Sequence, residues 1–297
     1  MRKLLLLCLV ALAGCAGQPD PMDWQAWLTA ERSLGRMRDD PAPPDAPFDN
    51  ATLAFNFRTI AFDVERDPFA TGEARGAAGE ARILRRWNGP VRWAVYATPA
   101  EQARVRPLAH DFAARLAGLT GLDFGPAGAA SGPHPAPANL QVWVVPGRIE
   151  RLLRSFPADA PASDDAARAV RARIADFIRT WYGTTASPCA AQFFNVDRPA
   201  VGAGTILGAL VLIRAGLPDA LLRSCIEEEL TQAMGLPNDD AGVRPSIFND
   251  GKEFGVLTAH DELLLRILYD PRLEPGMTPE SAMPVVRQII TELRPAG

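Results

Sequence analysis

Five residues in the last third of the chain have the spacing of a ligand set: Glu228, Glu229, Gln232, Gly235 and Asn238. Donors at i and i+4 of a helix share one face, so Glu228 and Gln232 point the same way. Glu229, beside the first donor, takes the place of a general base. Gly235 lets the chain reverse after the helix and swing Asn238 back toward the first two. Asp239 adds a carboxylate next to it. The donors are carboxylate and amide oxygens, which suit Ca²⁺ or Mg²⁺, and so few charges bind either weakly. His110, His134 and His260 all lie outside the set. Without zinc, a water at Glu229 keeps a pKa near that of bulk water, and hydrolysis lacks its nucleophile.

Three readings stay open: a metal-free binding cleft, a weak Ca²⁺ or Mg²⁺ site, and a hydrolase in which Glu229 works with a non-zinc metal or another base. The missing imidazoles favour the first, with no cofactor. Glu227-Glu228-Glu229 would also suit a solvated helix face. Against that, Leu222, Ile226 and Leu230 already mark the buried face, while Cys225, Glu228 and Gln232 line up on another.

The elements that must position this set are legible in pieces. Pro218-Asp219 opens the helix, and Ile206 to Ile213 before it is apolar enough for a central strand buried on both faces. Upstream, Pro90 to Tyr96 alternates as a strand, and Thr98-Pro99-Ala100-Glu101 is a capping box. A helix follows, with Pro107 expected to kink or restart it. Leu140 to Val145 is a second strand, and a helical element runs from Ser163 to about Tyr182. After Cys189 a loop is expected, and Ala54 to Phe62 reads as a strand or lead-in. Downstream, Pro245 to Gly251 is a turn, Thr258-Ala259-His260-Asp261 caps another helix, and a last helix runs from about Pro279 to Leu293. The order describes an α+β domain with a mixed sheet.

The motif residues occupy the positions of His-Glu-x-x-His-x-x-Gly-x-x-His, and Gly235-Leu236-Pro237-Asn238-Asp239 looks like the helix exit of matrix-metalloprotease-like enzymes. Ser246-Ile247-Phe248 resembles the Ser-Ile-Met turn of metzincins, with Phe248 in place of methionine. Leu257-Thr258-Ala259-His260-Asp261 with Leu268-Tyr269 resembles the helix that closes that fold. The resemblance implies a zincin-like, metzincin-type sheet with an active-site-like helix and C-terminal helices. Glu228, Gln232 and Asn238 then stand where the zinc histidines would be, which makes the domain a pseudoenzyme in form. As a whole the chain resembles a family of bacterial envelope lipoproteins whose domain has no assigned function.

The N-terminus sets the expected compartment. Arg2-Lys3 precedes an apolar run from Leu4 to Ala13, too short for a permanent span. Leu12-Ala13-Gly14-Cys15 resembles a lipobox, which implies a signal peptide over 1–14 and a lipid on Cys15. Ala16, rather than Asp, resembles lipoproteins sent to the outer membrane, facing the periplasm. The alternative is an ordinary secretory leader with a chance cysteine. Residues 15–50, polar and proline-rich, read as an extended tether, with Trp24, Trp27 and Leu28 in a short helix against lipid or against the domain. Residues 51–297 form the single domain, with the motif region at 218–270.

With Cys8 in the leader and Cys15 lipidated, Cys189 and Cys225 remain, either as a disulfide or as two buried thiols. Removing Arg2 and Lys3 from 31 basic residues leaves 29 against 35 acidic ones, a net charge of −6. That balance gives no electrostatic reason to seek nucleic acid. The expected partners are the membrane, through Cys15, and an extended peptide or envelope protein in the cleft.

Overall fold

The computed structural model describes residues 22–63, 82–128, 137–147, 149–155, 165–184, 187–196 and 202–295. The leader, Cys15 and His134 lie outside the described residues. None of the described helices is long and apolar enough to cross a membrane.

The frame is a mixed sheet, mostly parallel, between helices. Its centre is β6 (Thr205–Arg214), the run expected as a buried strand, with Val211, Leu212 and Ile213 fully buried. On one side β6 pairs in parallel with β4 (Leu140–Val145), from Leu140 opposite Ala209 to Val145 opposite Arg214. β2 (Val91–Tyr96) and the short β3 (Phe124–Pro126) follow in parallel outward from β4. The other edge of β6 is shared. β1 (Arg86–Trp87) pairs in parallel with Thr205 and Ile206, and β5 (Cys189–Asn195) runs antiparallel along the rest, with Cys189 opposite Ile213. The loop expected after Cys189 is therefore a strand. Its pairing is non-local, and its mixed burial shows no clean alternation.

The helices follow their caps. α3 (Pro99–Thr120) starts at Thr98, whose hydroxyl accepts from the Glu101 amide, and ends at left-handed Gly121. It runs through Pro107 without a break. Pro107 faces solvent, so water can satisfy the carbonyl its ring leaves unpaired. α4 (Glu150–Ser155) and α5 (Asp165–Gly183) lie on the opposite sheet face, where Ile178 and Trp181 pack with Leu210, Leu212 and Phe194.

Two expectations fail at the N-terminal end. Ala54 to Phe62 is part of α2 (Asn50–Phe62), capped by Asp49 through the Thr52 amide at 2.7 Å. Leu53, Phe57, Ile60 and Ala61 fall at helical spacing and are buried; the neighbouring phenylalanines imitate a strand's alternation. The segment expected as an extended tether packs on the domain over its described part. The short helix expected there is α1 (Trp24–Ser33), which takes the domain side of the two alternatives and buries Trp24 and Leu28 in the main core; Met37 and Ala46 are buried as well. The segment has no core of its own, but it contributes single side chains to another.

The motif helix is α6 (Asp219–Gln232), followed by an irregular stretch, α7 (Ala259–Leu268) and α8 (Pro279–Leu293). α3 and α6 cover one sheet face, α7 packs against α3, and α2 packs against α7 and α8.

Candidate functional site

The helix exit is held from three directions. Gly235 has φ 109°, and a Cβ there would collide with the Arg85 carbonyl, so only glycine lets the strand carrying β1 pass this close. Trp87 Nε1 donates to the Ala233 carbonyl at 2.9 Å, and the Tyr269 hydroxyl donates to the Met234 carbonyl at 2.8 Å. Burial pushes the Tyr269 phenol well above its ordinary value, which keeps it a donor. The Leu268-Tyr269 pair thus closes on the end of the motif helix.

Behind the site, Ser246-Ile247-Phe248 is a turn organised by Asp261, which is fully buried. Its carboxylate accepts from Ser246 Oγ at 2.6 Å and from the amides of Ile247 and Thr258 at 2.9 Å each. Asn56 Nδ2 approaches His260 Nε2 at 3.0 Å and the Arg244 carbonyl at 3.5 Å. Only the amide nitrogen can donate to a carbonyl, so His260 Nε2 accepts and the ring proton sits on Nδ1, toward Asp261 at 3.3 Å. His260 is wholly buried within this knot.

Glu227 shows that the helix face is not a solvated one. It is buried, with Oε2 accepting from the Leu257 amide and Oε1 from Arg223 Nε, both at 2.7 Å. It fastens α6 to the residue preceding the α7 cap. Sequence reading missed this role; its one signal was the i, i+4 spacing of Arg223 and Glu227. Glu229 is also buried.

The proposed ligand set divides. Glu228 and Asp239 line a small cavity together with Ser224, Asp250 and the disulfide between Cys189 and Cys225. Gln232 is half-buried beside them, its Nε2 donating to Asp239 Oδ1 at 3.0 Å. Asn238 turns away. Its Nδ2 donates to the Thr59 carbonyl at 3.1 Å and its amide to the Ile60 carbonyl at 3.3 Å, closing the C-terminal end of α2. The motif spacing carries Asn238 past the reversal, but α2 was not foreseen as a helix, so its terminal carbonyls were invisible as competitors. Asp239 stands at the cavity instead. Among the described residues, no group of three or more His, Cys, Asp or Glu side chains is placed to hold a metal ion.

The disulfide spans a Cα–Cα distance of 5.8 Å and joins β5 to α6 one turn before Glu228. Closing a 36-residue loop contributes about 3–4 kcal/mol through the unfolded chain. The cavity measures about 40 Å³, room for one or two waters. Burial pushes the Asp250 carboxyl up; nearby Lys252 opposes this and Asp240 adds to it. The rest of the lining includes Trp27, Met37, Lys252 and Phe254, so the chain's own N-terminal segment forms part of the cavity wall.

The class so defined is a mixed α/β domain with a mostly parallel sheet, whose motif helix is tied by a disulfide to the sheet's antiparallel strand. Residues 50–288 match the family described as "Protein of unknown function (DUF2927)", and the chain belongs to it. No curated protein and no solved structure matches the chain.

Proposed function

We propose that this is a lipid-anchored protein of the bacterial envelope, attached to the outer membrane through Cys15 and facing the periplasm. Its degenerate zincin-like domain binds an extended peptide or an envelope partner without zinc-dependent proteolysis. The anchoring half rests on the leader and on Leu12-Ala13-Gly14-Cys15. The binding half rests on one observation: two of the three positions where the resemblance would put zinc ligands hold the protein together instead. Gln232 donates to Asp239, and Asn238 closes α2. To turn toward a metal, Asn238 would have to give up its buried hydrogen bond to the Thr59 carbonyl. Strand addition is the mode the cleft favours, because Pro188 and Cys189, at the start of β5, lie on its wall.

The rival reading is a hydrolase in which Glu229 works with a non-zinc metal or another base. A soluble chain lacking residues 1–15 separates the two, by metal analysis after dialysis against Ca²⁺, Mg²⁺ and Zn²⁺ and by peptide hydrolysis beside Glu229→Gln. The binding reading expects no stoichiometric metal and equal background hydrolysis in both proteins. Stoichiometric metal together with activity lost in Glu229→Gln would overturn it.

A further inference from the structure

The N-terminal segment that supplies Trp27 and Met37 to the cavity wall lies outside the family match, which begins at residue 50. It is fastened by a short ladder to the rim formed by residues 252–255. The Met37 amide donates to the Lys252 carbonyl at 2.7 Å, the Arg38 amide to the Glu253 carbonyl at 2.9 Å, and the Gly255 amide to the Arg38 carbonyl at 2.8 Å. This is a single parallel bridge between Arg38 and Phe254 rather than an extended strand pair. Among the described residues, the two non-glycine residues with positive φ are Met37 at 53° and Lys252 at 55°, and they bond to each other across this joint. Neither residue type favours the left-handed region, so both sides of the joint are held in a strained backbone.

Side chains give the joint its selectivity. Met37 is buried against the cavity, and a Cβ at Gly255 would lie 2.9 Å from its Cε, so glycine makes room for it. The Arg38 guanidinium lies 4.9 Å from the centre of the Phe254 ring and donates to Glu253 Oε1 at 3.4 Å. Its bidentate partner Asp45 belongs to the same segment and would leave with it. A vacated rim would therefore present a Met-sized apolar slot, then the Phe254 face beside Glu253, which Arg244 keeps paired. The acidic lining of Glu228, Asp239 and Asp250 is the attraction for a cation. Such a surface selects an apolar residue followed by a cation.

We infer that the 252–255 rim is an exchange site for an extended segment of another protein carrying an apolar residue followed by arginine. Met37-Arg38 is its resident occupant, and its release opens the cavity at Glu228 and Asp239. This deepens the binding function proposed above and rests on it.

The test uses the soluble chain lacking residues 1–15 and a labelled peptide of residues 34–45. By fluorescence anisotropy, Arg38→Glu should bind the peptide at least tenfold tighter than wild type. A Met37→Cys/Gly255→Cys cross-linked protein should bind none, and a peptide with glutamate at the Arg38 position should fail. By hydrogen exchange on wild type, the amides of Arg38 and Gly255 should exchange at least a hundredfold faster than those of Val211 and Leu212 in β6. Equal peptide binding by Arg38→Glu and the cross-linked protein, or exchange of Arg38 and Gly255 no faster than β6, would show the segment to be an inseparable part of the fold. Dimerisation of Arg38→Glu by mutual exchange would overturn the assignment to another protein. Metal-dependent hydrolysis would sink the binding function while leaving these strap measurements standing.

Discussion

Two clusters of the same chemistry sit a short way apart around α6 and α7, and they behave differently. At Asp261 a buried carboxylate meets a hydroxyl and two backbone amides, with His260 and Asn56 behind it. At Glu228 and Asp239 the carboxylates are half-buried and face a cavity that Trp27 and Met37 of the N-terminal segment also line. The first arrangement saturates its acceptors and so fixes geometry; the second retains contact with a space that a ligand can enter. Residue type alone does not separate structure from function here. Depth and access do, since Asp261 is fully buried while Glu228 and Asp239 are half-buried along a cavity.

That contrast is broken most directly by substitution. Asp261→Asn should lose about 3–5 kcal/mol in urea denaturation, since it leaves buried donors facing a neutral amide. Glu228→Gln should stay within about 1 kcal/mol of wild type. Equal losses would erase the distinction. Replacing both Cys189 and Cys225 by serine should cost about 3–4 kcal/mol in the same assay, intermediate in kind because the bridge belongs to the cleft wall and to the frame.

The smallest effect is a pH dependence of opposite sign at the two kinds of carboxylate. Burial raises the Asp250 carboxyl in the folded protein, so the folded state holds that proton more tightly than the unfolded chain. Its contribution to stability grows as pH falls through the raised value and is complete below the ordinary aspartate value. Asp270 runs the other way. The hydrogen bond from Arg272 lowers it, so its contribution is present above the ordinary value and fades as pH falls below that. Melting temperatures from pH 6 to 3 should show Asp250→Asn flattening the upper part of the profile and Asp270→Asn the lower part. A parallel shift of the whole curve in either variant would contradict the assignment.

What the sequence made legible was local. The Thr98 and Thr258 caps, the apolar run of β6 and the reversal at Gly235 are written in adjacent residues, and each is found where expected. Features decided by distant partners were not readable. β5 depends on its antiparallel register with β6, and α2 depends on a surround that buries it on nearly every side. Asn238 has the spacing of a ligand, yet its direction is set by the carbonyls of Thr59 and Ile60, nearly 180 residues away. The segment after residue 22 read as a tether because it has no core, although its short helix at Trp24, Trp27 and Leu28 was expected against lipid or against the domain. It packs by lending Trp24, Leu28 and Met37 to one built elsewhere.

The outermost strand on the far side of the sheet carries a last consequence. β3 is three residues long, contains Gly125 and ends at Pro126, which has no amide proton to offer a neighbour. A sheet of parallel strands with a long open border would template pairing between molecules crowded together. Among the described residues this border is short and poor in donors, which disfavours one copy continuing the sheet of another along that edge.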